Sequence, residues 1–250
     1  MGQLMYSGDD QVMTAQQLSM VPTPAPVGRF HQPVGFGDFL ELVKSRLDRA
    51  GISIHAEEFV TTADHQTFFG TMVIGVDGFQ REGVELTLGL RGSHNQKVPR
   101  GICLGNRVIV CSNLMFNGDL ANVSTKQTTN IWSRLPAMVD QATAALPEMA
   151  ARESHRIDSY KLFDMKPRWG DAALVELHRR RAMSGAQLTR AIDEWDAPTY
   201  EEHAEDGFTA WRLLNAVTEA QKPSGSNCNM DTVRQRTAIT AGFLDEVVGL

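Results

Sequence analysis

The sequence predicts an α+β fold: an antiparallel β-meander packed against helices, with a mostly helical C-terminal half and an extended N-terminal arm. Three observations carry this. Between Ile52 and Cys111 the chain holds strand-like runs separated by turn residues; from Asn130 onward apolar residues recur at helical spacing; and before Phe36 the segment VPTPAPVGRFHQPVG holds Pro22, Pro24, Pro26 and Pro33, which forbid a regular helix. The expected division is an arm over residues 1–35, a core over 36–150 and a helical region over 151–250.

Phe36 to Ala50 places Phe39, Leu40, Val43 and Leu47 on one helical face, with Asp38 near the start, Arg46 and Arg49 near the end, and Gly51 at the stop. Ile52–Val60 and Thr67–Val76 read as strands, with Asp77-Gly78 opening the next turn. Val84 to Leu90 alternates Val84, Leu86, Leu88 and Leu90 against Glu85, Thr87 and Gly89, and the β-branched run RVIVC from Arg107 to Cys111 suits a strand covered on both sides. Helices are expected over 130–149, with Pro136 and Pro147 at a kink, first turn or break, and over 150–164, 171–183, 184–195, 207–221 and 233–250. The pair around Ser184 has helix-turn-helix spacing, which more commonly marks a packing unit, and HRRR at 178–181 reads as a solvated face paired with Glu176 and Asp193. Trp211, Leu213, Leu214 and Val217 read as core, with Asn215 a buried or capping polar group.

Composition excludes several classes. A chain of 250 residues, 42% apolar and 22% charged, is an ordinary soluble protein able to bury a substantial interior. Its formal charge of −6 repels polyanions at long range, so nucleic-acid binding requires a local basic patch, or an assembly that presents one patch per subunit. Cys103, Cys111 and Cys228 form no CxxC and no Cys/His ligand spacing, so reduced thiols are expected. The N-terminus carries acids where a signal peptide carries bases, and no apolar run approaches the ~18 residues of a membrane span. The expectation is a cytoplasmic protein, in a host cell if phage-encoded, without membrane partner or cofactor.

The chemistry-bearing stretch runs from Gly83 to Asn113. Between its apolar runs lies RGSHNQKVPRG, a cationic, Gly- and amide-rich loop suited to phosphate oxygens. Candidate binding residues are Arg91, Lys97, Arg100 and Arg107 on phosphates, Ser93, His94 and Asn113 orienting them, and Lys126 nearby. Phe68, Phe69, Phe79, Phe116 and Trp132 are candidates for base stacking as well as for core. No nucleophile elbow, P-loop or GxGxxG appears, and no catalytic residue or metal ligand is assigned.

The stretch LGLRGSHNQKVPRGICLGNRVIVCSNLMFNGD, from Leu88 to Asp119, resembles the signature of the phage and plasmid proteins grouped as domain of unknown function 932. There, a strand ending in Arg-x-Ser-His is followed by a Lys, a strand ending in Cys-x-Asn and a Phe-x-Gly; the matching positions are Arg91, Ser93, His94, Lys97, Cys111, Asn113, Phe116 and Gly118. The stretches at Phe68–Gly75 and Thr209–Glu219 also look familial, so the resemblance spans about Gly51 to Ala220. The chain departs from the pattern at Asn95, where an acid is usual, and at Lys126-Gln127-Thr128, where His-Thr is expected. The family's distribution is similar to that of single-strand annealing proteins. The resulting expectation is a non-enzymatic, oligomeric protein of phage or plasmid origin that binds single-stranded nucleic acid in recombination along a basic strand-loop groove. Two alternatives stand beside it: a counter-defence protein binding a host protein or a nucleotide signal in a pocket near His94, and a metal-dependent nuclease or phosphotransfer enzyme in which Glu57, Asp64 and Glu85 converge with His94.

Overall fold

A computed structural model describes residues 10–81, 83–108, 114–116, 123–222 and 230–250. Its chain order is β1 (Gln11–Met13), α1 (Ala15–Ser19), α2 (Phe36–Arg49), β2 (Ser53–Thr61), β3 (Thr67–Gly75), β4 (Val84–Ser93), β5 (Arg100–Val108), β6 (Leu114–Phe116), β7 (Val123–Thr125), α3 (Ile131–Leu162), α4 (Pro167–Arg179), α5 (Gly185–Asp196), α6 (Glu201–Glu205), α7 (Ala210–Gln221) and α8 (Met230–Val248). The described strands form one antiparallel sheet in the order β1-β2-β3-β4-β5, with β6 and β7 sharing the far edge of β5. This is the expected α+β meander followed by helices.

Alternation sets the two faces of the sheet. Phe68, Met72 and Ile74 of β3, Leu86, Leu88 and Leu90 of β4 and Ile102 and Leu104 of β5 all turn to one side, where α2 and the first half of α3 cover them. α2 contributes Phe36, Phe39, Leu40, Val43 and Leu47, a stripe at helical spacing. Its end is fixed as expected: Gly51 adopts φ +71°, and the Ile52 N–H bonds to the Leu47 carbonyl at 2.9 Å. A second apolar cluster joins the last turns of α3 to α4, α5, α7 and α8 around the fully buried Trp195.

Four expectations are corrected. The arm is not wholly extended: β1 adds to the sheet edge beside β2, and α1 follows with a Thr14/Gln17 capping box and a buried Leu18. β5 begins at Arg100 and not at Arg107, because the glycines taken for loop residues lie within ladder-paired strands; only residues 94–99 make the connection. α3 runs unbroken through Pro136 and Pro147. Buried neighbours on either side of each proline, Leu135 and Val139, then Leu146 and Met149, hold it against a local cost of about 3 kcal/mol. Finally, Arg180 of the HRRR run pairs with Glu176 as expected but with Glu246 of α8 in place of Asp193. The expected strand residues Ile109 to Cys111, and Cys228, lie outside the described residues.

The sheet and the C-terminal helices are tied by a polar chain through the interior. Asn106 of β5 donates to Glu153 of α3, and Arg156 bridges Glu153 at 3.0 Å to Asp245 of α8 at 2.8 Å. The Tyr160 hydroxyl adds a 2.6 Å bond to Asp245. Removing one cation from such a buried pair strands two carboxylates, so Arg156→Met is expected to cost about 3 kcal/mol, and Arg180→Met, on the exposed pair, far less. Urea unfolding at neutral pH checks this; equal costs would show that the chain is not what docks α8.

Candidate anion-binding site

The hairpin that carries most of the expected site is closed by Ser93. Its hydroxyl accepts the Val98 N–H at 2.8 Å and donates to the Val98 carbonyl, while the Asn95 side chain accepts the Lys97 N–H at 3.1 Å and Gln96 takes the left-handed φ of +64°. Ser93 is therefore engaged in the turn and fully buried, with no hydroxyl presented outward.

Arg100 enters the core one ladder position beyond the Arg91–Gly101 pair, directly over Gly92. Its guanidinium is fully buried, lies 4.7 Å from the Phe36 ring centroid and 5.6 Å from that of Phe68, and donates through Nη2 to the Val34 carbonyl of the arm. Nε and Nη1 have no partner among the described residues. Burial pushes its pKa down to about 9, opposed by the charge of Asp38, so it stays cationic at neutral pH. His94 also stacks on Phe36, with ring centroids 3.9 Å apart and the planes nearly parallel. Burial, reinforced by Arg100 and His31, lowers its pKa to about 4, with the Val34 backbone pulling the other way. Its Nε2 is also without partner.

The expected outward groove is thus corrected. Ser93, His94 and Arg100 are interior, and Asn106 on the same strand as Arg100 is buried and spent on Glu153. Arg91 sits on the other face of the sheet from Arg100, half-buried and already engaged. Arg107 lies across the ladder from Glu85, and its side chain falls outside the described residues, as does Asn113. The carboxylates of the metal-enzyme alternative do not gather around His94: Glu57 pairs with Lys44 at 2.6 Å, Asp64 accepts from Thr62 and Gln66, and no cluster with metal-ligand composition occurs among the described residues.

What the fold does assemble is a hollow of about 380 Å³ at the tip of this hairpin. Its three walls are Val27, Phe30 and His31 of the arm, Gln96 to Pro99 of the turn, and Lys126 to Thr128 between β7 and α3. Gln127 brings the walls together: its side chain accepts the Val34 N–H at 2.7 Å and donates to the Ser93 carbonyl, while its backbone carbonyl accepts the Gln32 N–H at 3.2 Å. Lys97 and Lys126 are exposed at the rim and form no ion pair among the described residues, although Lys97 contributes weakly to holding the Asp64 carboxyl below its usual range. Arg134 reaches Thr125 at 2.6 Å and Thr128 at 3.5 Å, on either side of Lys126. Phe30 is 63% exposed beside Arg29, whose guanidinium carbon is 4.5 Å from its centroid, and Trp132 is 47% exposed in the first turn of α3. Among the described residues no carboxylate lines the hollow.

Comparison with protein families, curated proteins and solved structures finds no match for this chain. Of the eight expected site residues, the structure brings Lys97 and Lys126 together. Phe30, His31 and Gln127 were missed, and the available signal was the Lys126-Gln127-Thr128 departure noted in the sequence. Phe68 is core, Phe69 and Phe79 are half-buried, and the side chain of Phe116 is outside the described residues.

Two outcomes test this geometry. A Cβ at position 92 would strike the Arg100 guanidinium, so Gly92→Ala is expected to cost about 1–3 kcal/mol, and less in an Arg100→Ala background; additive losses in a double-mutant cycle would contradict the contact. His94 stays neutral to about pH 4 when folded but titrates near 6.5 when unfolded, so the stability it contributes at neutral pH is lost as pH falls from about 6.5 toward 4, by roughly 3 kcal/mol in all. Thermal unfolding across that range is expected to show a shallower pH dependence in His94→Phe, and identical slopes would rule out a buried neutral imidazole.

Proposed function

We propose that this protein is a non-enzymatic binder of single-stranded nucleic acid, of the phage or plasmid kind that its Leu88–Asp119 stretch resembles, and that the strand is held at the hairpin-tip hollow and not along the sheet. The supporting observation is the pairing of two rim lysines, without ion partners among the described residues, with an exposed phenylalanine. Lysines without an ion pair, at a hollow that no described carboxylate lines, suit phosphate oxygens, and an exposed ring beside them suits a base that has no duplex partner to stack on. The overall charge of −6 confines attraction to this patch and lets acidic surface elsewhere repel the rest of the polymer. Several subunits in an assembly would supply consecutive patches to one strand.

The arm has a direct part in this reading. Val27, Phe30 and His31 form a wall of the hollow only while residues 32–34 are bonded to Gln127 and Arg100, so the interior cation acts on binding by position and without touching the strand. A role in annealing follows if two strands are held by neighbouring patches with their bases outward.

Fluorescence anisotropy of a short labelled oligothymidylate, at about 50 and 200 mM salt, tests the proposal. Binding is expected to weaken steeply with salt, and each of Lys97→Ala and Lys126→Ala to reduce the slope of log K against log salt by about 0.7. Phe30→Ala is expected to cost about 1–3 kcal/mol with the slope unchanged. Absence of binding by the unaltered chain, or a Lys97/Lys126 double variant that binds as well as it does, would overturn the proposal.

A further inference from the structure

The hollow is closed on three sides and its size is at the lower end of small-ligand sites, which typically begin near ~300 Å³. A continuous backbone needs an entrance and an exit; a chain end or a single nucleotide needs only one opening. The polar groups point to the same distinction. Two lysines stand at the rim with no acid among the lining residues, and His31 stands in the arm wall. The His31 Nδ1 accepts the Val27 N–H at 3.1 Å, which leaves the proton of the neutral ring on Nε2. That Nε2 is buried, and has no partner among the described residues. His31 is 5% exposed and its Nε2 is sealed from solvent, so the charges that line the hollow are those of the two lysines.

We infer that the hollow takes a phosphomonoester carried by a nucleoside. A monoester at neutral pH bears close to two negative charges and presents three terminal oxygens, whereas a diester within a strand bears one charge and two such oxygens. The two lysines match the first inventory in charge. Phe30 at the mouth then meets the base of the same nucleotide. The source of the monoester is either the phosphorylated terminus of a strand or a free mononucleotide. Only the first source rests on the nucleic-acid reading given above.

The experiment compares four probes on the full chain: a short oligothymidylate with a 5′ phosphate, the same strand with a 3′ phosphate, the same strand with hydroxyls at both ends, and a circular single strand, with thymidine monophosphate as competitor. At least one phosphorylated end is expected to bind about tenfold tighter than the hydroxyl-ended and circular strands, and the preference to fall toward unity in the Lys97→Gln/Lys126→Gln double variant. These lysines are exposed, so the double variant keeps the fold, and the readout is a ratio of affinities within each protein. Equal affinity for all four strands overturns the inference and leaves strand binding standing. Binding of the mononucleotide alone supports the monoester site and overturns the strand reading, while no binding of any probe overturns both.

Discussion

The position of the Arg100 guanidinium constrains most of what surrounds the hairpin. A cation held in the interior, clamped by Phe36 and Phe68 and bonded to the Val34 carbonyl, joins three parts of the chain that are far apart in sequence: the junction of the arm with α2, β3 and the start of β5. Its place requires a glycine opposite, because any side chain at position 92 would occupy the volume of the guanidinium. It also helps keep His94 neutral, since a second interior cation stacked on Phe36 would be repelled as well as desolvated. Burying an arginine in this way is costly, and the hydrogen bond and ring faces offset only part of that.

From that constraint the candidate site follows. With Val34 fixed by Arg100 on one side and by Gln127 on the other, the preceding residues have one course to take, across the hairpin tip and against the turn before α3. The hollow is the gap left between those three segments, and its basic character comes from side chains that the core did not recruit. Arg100, His94 and Ser93 are consumed in building the platform, while Lys97 and Lys126 remain at its rim. At the other end of the molecule a separate interior chain, Asn106 to Glu153 to Arg156 to Asp245, holds the C-terminal helix to α3 and the sheet. Among the described residues no helix is long and apolar enough to cross a membrane.

The sequence made the fold readable wherever burial is periodic. The α2 stripe from Phe36 to Leu47, the Gly51 stop and the alternation of Val84 through Leu90 each leave a pattern that follows directly from helix and strand geometry. The Thr14–Gln17 capping box is equally local, although the prolines that follow it dominate the segment. The site was less legible for a different reason. Arginine, histidine and serine in a glycine-rich run have the composition of a solvated loop, and nothing local distinguishes an Arg that projects from an Arg that folds inward over a glycine. Pairing of Arg91 with Gly101 decides it, and pairing is a long-range property. The arm wall of the hollow was hidden similarly, since the bond that brings it there runs from Val34 to Gln127, between segments 93 positions apart.

The most direct test of a site built from these three segments is backbone hydrogen–deuterium exchange, with and without a short single-stranded oligonucleotide. The account predicts added protection at residues 27–34, 95–98 and 126–128 together, with α4 and α5 unchanged. Protection confined to α4 and α5, or to the sheet away from the hairpin tip, would contradict it.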